Sequence, residues 1–358
     1  MSGDFESPDT LTFSMDLSII IINYKSAHHV LACIESIYKK TQKYSFEIIV
    51  VDNNSEDDSE TKIRTAFPNV TWIQSGYNAG FARANNIGIR ASTGEYILLL
   101  NADTIILDNA LDKTVDLFKS KPDAVACGVQ LLNPDARPDG SVGRGTHQIS
   151  GAYFKKGGLN VLLPLPYLGR FIRYMGYKLK TKIPSVKTVS AEQEVDWIVG
   201  AFIMVKKEVL ERSGLFDEDF FMYSEEIEWC GRLRKQGKLY LFEEPKVIHI
   251  GGGTSGDYYN TDNDNSKNLW SKKATQIIIS MLLRIRKQFG IFYYMLVCFL
   301  FIIEIPVFVI GLLIEKIFRG RNAKYKWENV SGYIKNVGYL IKYFLRILVN
   351  KPFFYKVY

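Results

Sequence analysis

An open parallel α/β sheet is the fold class this sequence predicts, on three observations. Short, β-branched apolar runs recur along the first hundred residues, each separated from the next by a stretch of helical spacing. The runs are apolar throughout, without the alternation of a half-exposed strand, so they read as strands buried on both faces. Three of them end abruptly in polar residues, at Asn23, Asp52 and Asn101-Ala-Asp103. Strands alternating with helices build a parallel sheet with both faces covered. In such sheets ligands bind beyond the carboxyl ends of the strands, so these polar tips are the first residues to weigh for function.

Each element follows in order. Residues 17–24, LSIIIINY, predict the first strand, and 29–40 a helix with Val30, Ile34 and Ile37 on one face. The second strand, 47–55, stops at Asp52, and a short helix is expected over 58–66. VTWIQS (70–75) is a third strand. Residues 76–92 open with glycines and turn helical; 95–104 is a fourth strand. The turn-rich stretch 133–145 reads as a loop, and 151–193 has no clear period. Order returns with a strand running into a helix over 195–209, then a segment 215–237 that ends in a helix, then strands over 238–255.

The 358 residues are 47% apolar and 23% charged. Those are values of a folded globular chain of about two domains, which exclude disordered, collagenous and coiled-coil classes. Cys33, Cys127, Cys230 and Cys298 show no CxxC spacing, so neither a disulfide framework nor a structural zinc site is expected. From Arg319 onward nine basic residues face one acid, Glu328; this tail is +8 in a chain of net +7, leaving −1 for the rest. A basic tail suggests an anionic partner, membrane lipid or nucleic acid. Residues 1–15 read as a loose tail; their first 14 residues carry acids and no basic residue, so no secretion signal is expected.

Residues 289–314 form a 26-residue apolar stretch whose one charge is Glu304. The length suffices for a transmembrane helix. Pro306, however, is expected to divide it into halves too short to span, and basic residues flank both ends. A re-entrant hairpin or in-plane amphipathic pair is therefore expected ahead of a single span or a soluble helical hairpin.

Asp52 and Asp103 at neighbouring strand ends can converge on one ligand. One carboxylate suits a ribose or base edge, the other a divalent cation held against a diphosphate. Each alone also reads as a turn former or helix cap. Asn78, Gly80, Arg83, Asn85, Asn86 and Gly88 read as a glycine-rich turn into a helix, or as phosphate, base and sugar contacts; the spacing is not GxGxxG. Glu225, Glu226 and Glu228 with Arg232 read as a salt-bridged helix start, or as a partly buried site in which a carboxylate serves as general base. His249, before Gly251-Gly252-Gly253, reads as a core histidine or as a Mn²⁺ ligand.

Taken together, SIIIINYKS, IIVVDNNSEDD, NAGFARANNIG, LLLNAD, DWIVGAFIMVKKEV, GLFDEDFFMYSEEIEWCGRLRKQG and VIHIGGGTS resemble, in order and spacing, the family 2 inverting glycosyltransferases. The similarity is greatest to bacterial rhamnosyltransferase-like members that build surface polysaccharides. It covers about residues 17–256 and implies a GT-A domain over 16–256, followed by a helical, membrane-associating region over 257–358. It implies a nucleotide-diphosphate sugar donor, dTDP- or UDP-linked, with Asn23 and Asp52 in the nucleoside pocket. It further implies Mg²⁺ or Mn²⁺ on Asp103 and His249, Glu226 as base, and Trp197, Gly200 and Ala201 near donor sugar and acceptor. Two departures stand. Glu225-Glu226-Ile227-Glu228 replaces the usual Glu-Asp-x-Asp, which leaves the choice among three acids open. Asn101 replaces the first Asp of the metal motif.

What the resemblance implies is a single displacement that inverts the anomeric centre, without a covalent intermediate. The implied acceptor is a saccharide, lipid-linked, at the cytoplasmic face of the cell membrane, where the apolar and basic region would hold the enzyme. Two other readings remain: a nucleotidyltransferase, disfavoured because NYKSAHH lacks a glycine-rich phosphate loop, and a non-catalytic nucleotide-sugar-binding protein. Nucleic acid is not an expected partner, because the tail's Tyr, Phe, Leu and Ile residues suit a membrane-surface helix better.

Overall fold

The computed structural model describes residues 15–132, 147–148, 165–178, 192–251 and 272–357. The N-terminal tail, the 133–145 loop, most of 151–193 and the end of the GT-A segment at 252–256 lie outside the described residues.

The first half alternates as its apolar runs dictate. Strand β1 (Met15–Asn23) leads to helix α1 (Ala27–Lys40), β2 (Phe46–Asp52), α2 (Ser59–Ala66) and β3 (Thr71–Gln74). Then come α3 (Gly80–Ala91), β4 (Gly94–Asn101), β5 (Thr104–Ile106), α4 (Ala110–Lys119) and β6 (Ala124–Leu132). Further on lie β7 (His147–Gln148), α5 (Leu168–Lys178), β8 (Gln193–Val195), β9 (Phe202–Lys206) and α6 (Leu210–Ser213). The chain continues through α7 (Glu225–Leu233), β10 (Lys238–His249), α8 (Lys272–Phe289), α9 (Ile291–Arg319) and α10 (Trp327–Leu348).

The ten strands among the described residues join one sheet, in the order β3-β2-β1-β4-β9-β6-β10-β5, with β7 beside β6 and β8 beside β10. β3, β2, β1 and β4 are parallel. β9 is inserted antiparallel between β4 and β6, and β5, β7 and β8 also run antiparallel. The sheet is therefore mixed, which the continuous apolar runs did not distinguish from parallel. Along β1, Ile19 and Ile21 enter the core under α1, α2 and α4, while Ile20 enters the core on the other face. That alternation explains the unbroken apolar runs: each neighbour needs a different buried face.

Two expectations are corrected. The strand expected to run from Val195 into a helix is interrupted; β8 ends at Val195 and β9 starts only at Phe202. The intervening residues form a turn beside the sheet's carboxyl edge. Second, Pro306 does not divide the apolar stretch. Helix α9 runs unbroken over 29 residues with Pro306 inside it, about 43 Å at ~1.5 Å per residue. An interior proline costs about 3 kcal/mol, which the packing of Tyr294, Val297, Phe301, Phe308 and Leu312, all essentially buried, offsets. Glu304, the lone charge, is buried because its carboxylate accepts the backbone N–H groups of Tyr167 (2.6 Å) and Leu168 (3.0 Å) at the start of α5. Helices α8, α9 and α10 share one apolar core with β9, α3 and α7.

Candidate active site

The strand register assembles the site. Asn23 pairs with Asp52 across β1 and β2, and Ile22 pairs with Asn101 across β1 and β4. His249 pairs with Thr104 where β10 runs antiparallel to β5. These three pairings bring strand ends distant in sequence to one edge. At that edge lies a cavity of about 270 Å³, walled by Asn78, Gly80, Asn101, Asp103, Gly200, Ala201, Glu225, Glu226 and His249 among others.

One wall is polar. His249 Nε2 lies 3.3 Å from Asp103 Oδ1 and 3.4 Å from Asn101 Nδ2. Asp103 is 6% exposed. Burial pushes its carboxyl up, but the hydrogen bond and charge of His249 more than offset this and hold it below the usual range. Oxygen and imidazole nitrogen are a donor set that suits Mn²⁺ and, less well, Mg²⁺. Among the described residues no cluster of three or more His, Cys, Asp and Glu could hold a metal ion. A cation at Asp103 and His249 would thus leave most of its coordination positions to a ligand and water.

The start of α7 also lines the cavity. Tyr223 and Ser224 are consecutive non-glycine residues at φ of 73° and 68°, a left-handed pair costing about 1–3 kcal/mol each. They turn the chain so that Glu225 and Glu226 begin the helix at the cavity. Burial raises the Glu226 carboxyl above the ordinary carboxylate range, opposed by backbone N–H groups of this turn and by the charge of Arg284. Glu225 is 3% exposed and its Oε2 accepts no hydrogen bond from the described residues; burial and the neighbouring Glu226 push its carboxyl well up. A Cβ on Gly200 would lie 3.9 Å from Glu226 Cβ, so the 197–201 turn faces the candidate base.

The remaining wall is the start of α3. Gly80 has φ +70°, and a Cβ there would run into the carbonyl of Phe221. Phe221 O accepts the Phe81 N–H at 2.8 Å. Asn53, buried, accepts the Ala79 N–H at 2.8 Å and donates to Gly80 O at 2.9 Å.

Several sequence candidates lie elsewhere. Asn23 and Asp52 form a buried latch one residue behind the cavity. Asn23 Nδ2 donates to Asp52 Oδ1 at 2.7 Å, and Ser55 donates to both Asp52 oxygens. Arg83 donates to Glu218 O and stacks 4.0 Å from the Phe354 ring centre. Asn85 Nδ2 donates to Phe81 O one turn back in its own helix, and Asn86 ties α3 to Phe216. Trp197 packs against the core outside the cavity lining. Glu228 and Arg232 pair at 2.7 Å on α7, and neither lines the cavity. Sequence reasoning missed Tyr24, Asn53, Phe81, Met222 and Tyr223. Asn53 had a signal, next to Asp52 at a strand end; the others sit in runs that read as plain core.

Comparisons with known proteins fit this geometry. The glycosyl transferase family 2 model matches residues 18–175. A low-salt glycan biosynthesis hexosyltransferase of Haloferax volcanii is 31% identical over 62% of this chain and 62% of its own length. An N-acetylglucosaminyl-diphospho-decaprenol L-rhamnosyltransferase of Mycobacterium tuberculosis is 25% identical over 67% of this chain and 78% of its own. The rhamnosyltransferase WbbL of Escherichia coli is 27% identical over 64% and 82%. The chain thus spans less than two thirds of the first of these relatives and about four fifths of the other two. Through these sequence matches, residues 18–175 of this chain are similar to glycosyl transferase family 2, on a mixed α/β sheet and with rhamnosyltransferase-type relatives.

Proposed function

We propose that this protein is an inverting glycosyltransferase that moves a hexose, rhamnose or similar, from a dTDP- or UDP-linked donor to a hydroxyl of a lipid-linked saccharide. One observation carries the reading: Asp103 and His249 line the same cavity as Glu226. A divalent cation bound at Asp103 and His249 would supply neutralisation of the charge that builds on the departing diphosphate. The protein's own groups do the rest. Glu226 accepts the proton of the acceptor hydroxyl as it attacks; its raised affinity for protons suits a base better than an ordinary carboxylate. Asn101 and His249 hold the polar side of the donor, and Tyr24, Phe81 and Met222 exclude water from it. Displacement from the face opposite the leaving group inverts the anomeric carbon.

The outer face of α9 supports a membrane-surface location. Phe292 is 81% exposed, Ile317 78% and Phe318 82%, and the helix is long and apolar enough to cross a bilayer. Lys316, Arg319 and Lys324 lie at this end of the helix, and each contributes about 1 kcal/mol near an anionic surface. The cytoplasmic leaflet, where such charges favour binding, is the proposed site.

Transfer to a prenyl-diphosphate-linked saccharide, measured with dTDP- and UDP-sugars and Mn²⁺, tests the reading. Wild-type transfer lost on chelation and in Asp103→Ala is expected. Donor binding without transfer or donor hydrolysis would refute it in favour of a non-catalytic binding protein.

A further inference from the structure

The C-terminal segment that follows α10 returns to the site from more than a hundred residues away. Tyr355, fully buried, pairs with Phe220 in a parallel bridge and donates its N–H to Asp219 O at 2.9 Å. Phe353 N–H donates to Asp219 Oδ1 at 2.9 Å, while Lys287 of α8 holds the other carboxylate oxygen at 2.7 Å. Gln276 of α8, also buried, locks the segment from behind: it donates to Tyr355 O at 2.9 Å and accepts Val357 N–H at 3.0 Å. The Phe354 ring lies edge-on to Phe221, 5.5 Å between centres, and under Arg83.

These contacts converge on residues 219–221, the stretch that leads into the strained Tyr223-Ser224 turn. Phe221 O is already fixed by α3, and Met222 O accepts from Ser280 of α8 at 2.7 Å. A left-handed non-glycine pair persists only where its surroundings over-determine it. We propose that residues 351–357 are a positioning strap for the transfer reaction: by clamping Asp219–Phe221 they set where Met222, Tyr223 and the Glu226 carboxylate stand in the cavity. The inference rests on the transferase reading above. No strap residue lines the cavity, so its effect is on placement and not on contact with substrate.

The test compares the full chain, a chain stopped after Asn350, and Phe354→Ala, which keeps every backbone bond of the strap. Below the melting temperature of all three, the shortened chain is expected to lose about 10- to 100-fold in kcat, as small misplacements of reacting groups do. Donor KM is expected to stay within about threefold. Phe354→Ala is expected to show the same split with a smaller loss. A synthetic peptide of residues 351–358 added in excess is expected to restore kcat. Amide exchange is expected to quicken over residues 217–228 and not in β1, β2 and β4. Unchanged kcat and exchange in either variant would overturn the proposal. So would faster exchange spread evenly over the sheet with no rescue by peptide, which marks a merely structural tail. If the full chain transfers no sugar at all, the transferase reading fails, and the exchange pattern alone still decides whether the strap orders the turn.

Discussion

Gly80→Ala is the sharpest perturbation of the site that touches no candidate catalytic group. Gly80 has φ +70°, and an added Cβ would collide with the Phe221 carbonyl and stand 2.6 Å from Phe221 Cδ2. Left-handed backbone costs alanine about 1–2 kcal/mol. Stretching the Phe81 N–H bond to Phe221 O adds about 1 kcal/mol, giving roughly 2–3 kcal/mol in all. At about 2–4 °C per kcal/mol for a chain of this size, the melting temperature should fall by about 5–10 °C. Carbon atoms normally approach to about 3.5–4.0 Å, so Phe221 must retreat by about 1 Å and take the Met222–Glu226 turn with it. A shift of that size is expected to cost about 100-fold in kcat. Calorimetry and sugar transfer below the lower melting temperature measure both effects. Gly76→Ala is the control: φ is +77° but nothing lies within 4 Å, so about 1 kcal/mol and no change in kcat are expected. Wild-type melting and kcat in Gly80→Ala would refute the claim that the start of α3 and the 221–226 turn form one rigid wall.

Glu226→Gln is expected to lower kcat by about 10²- to 10⁴-fold with donor binding retained, since a general base supplies rate enhancement of that order. Because burial raises the Glu226 carboxyl, wild-type kcat should climb with pH through a value above the ordinary ~4.3 of glutamate, the group acting only once its proton is lost. Glu225→Gln is expected to stabilise the protein at pH 7 by about 1–3 kcal/mol in denaturant titrations, because it removes a buried carboxylate whose Oε2 is unsatisfied. The sign follows from the raised carboxyl: the cost to wild type is absent at pH values where Glu225 is protonated folded and unfolded, and grows as pH rises past the unfolded value. The advantage of Glu225→Gln should therefore vanish in acid. Glu304→Leu deletes the acceptor for two N–H groups at the start of α5; a loss of about 1–2 kcal/mol and earlier proteolysis over 165–178 are expected.

The sequence by itself determined the α/β class and the polar strand tips. Apolar runs of β-branched residues have few alternatives to doubly buried strands, and a run that stops at Asn23 or Asp52 announces where the sheet's edge lies. It also carried the resemblance to family 2 glycosyltransferases, through motifs ordered along the chain. It did not determine strand direction: β9 reads the same whether it enters the sheet parallel or antiparallel, because both faces are buried either way. Nor did it separate cavity from support. Asn23, Asp52, Arg83 and Asn85 carry the residue types of a binding site, and each makes hydrogen bonds to neighbouring protein groups outside the cavity lining. Only the register of β1, β2 and β4 and the reversal of β5 against β10 bring Asp103 to His249. Pro306 illustrates the same limit in reverse: local chemistry argues for a break, and packing of α9 against α5, α8 and α10 overrides it. Local sequence fixes which residues want to be buried or capped, whereas which partners meet is decided by long-range closure. That is why the wall carrying Glu226 depends on a strap from the far end of the chain.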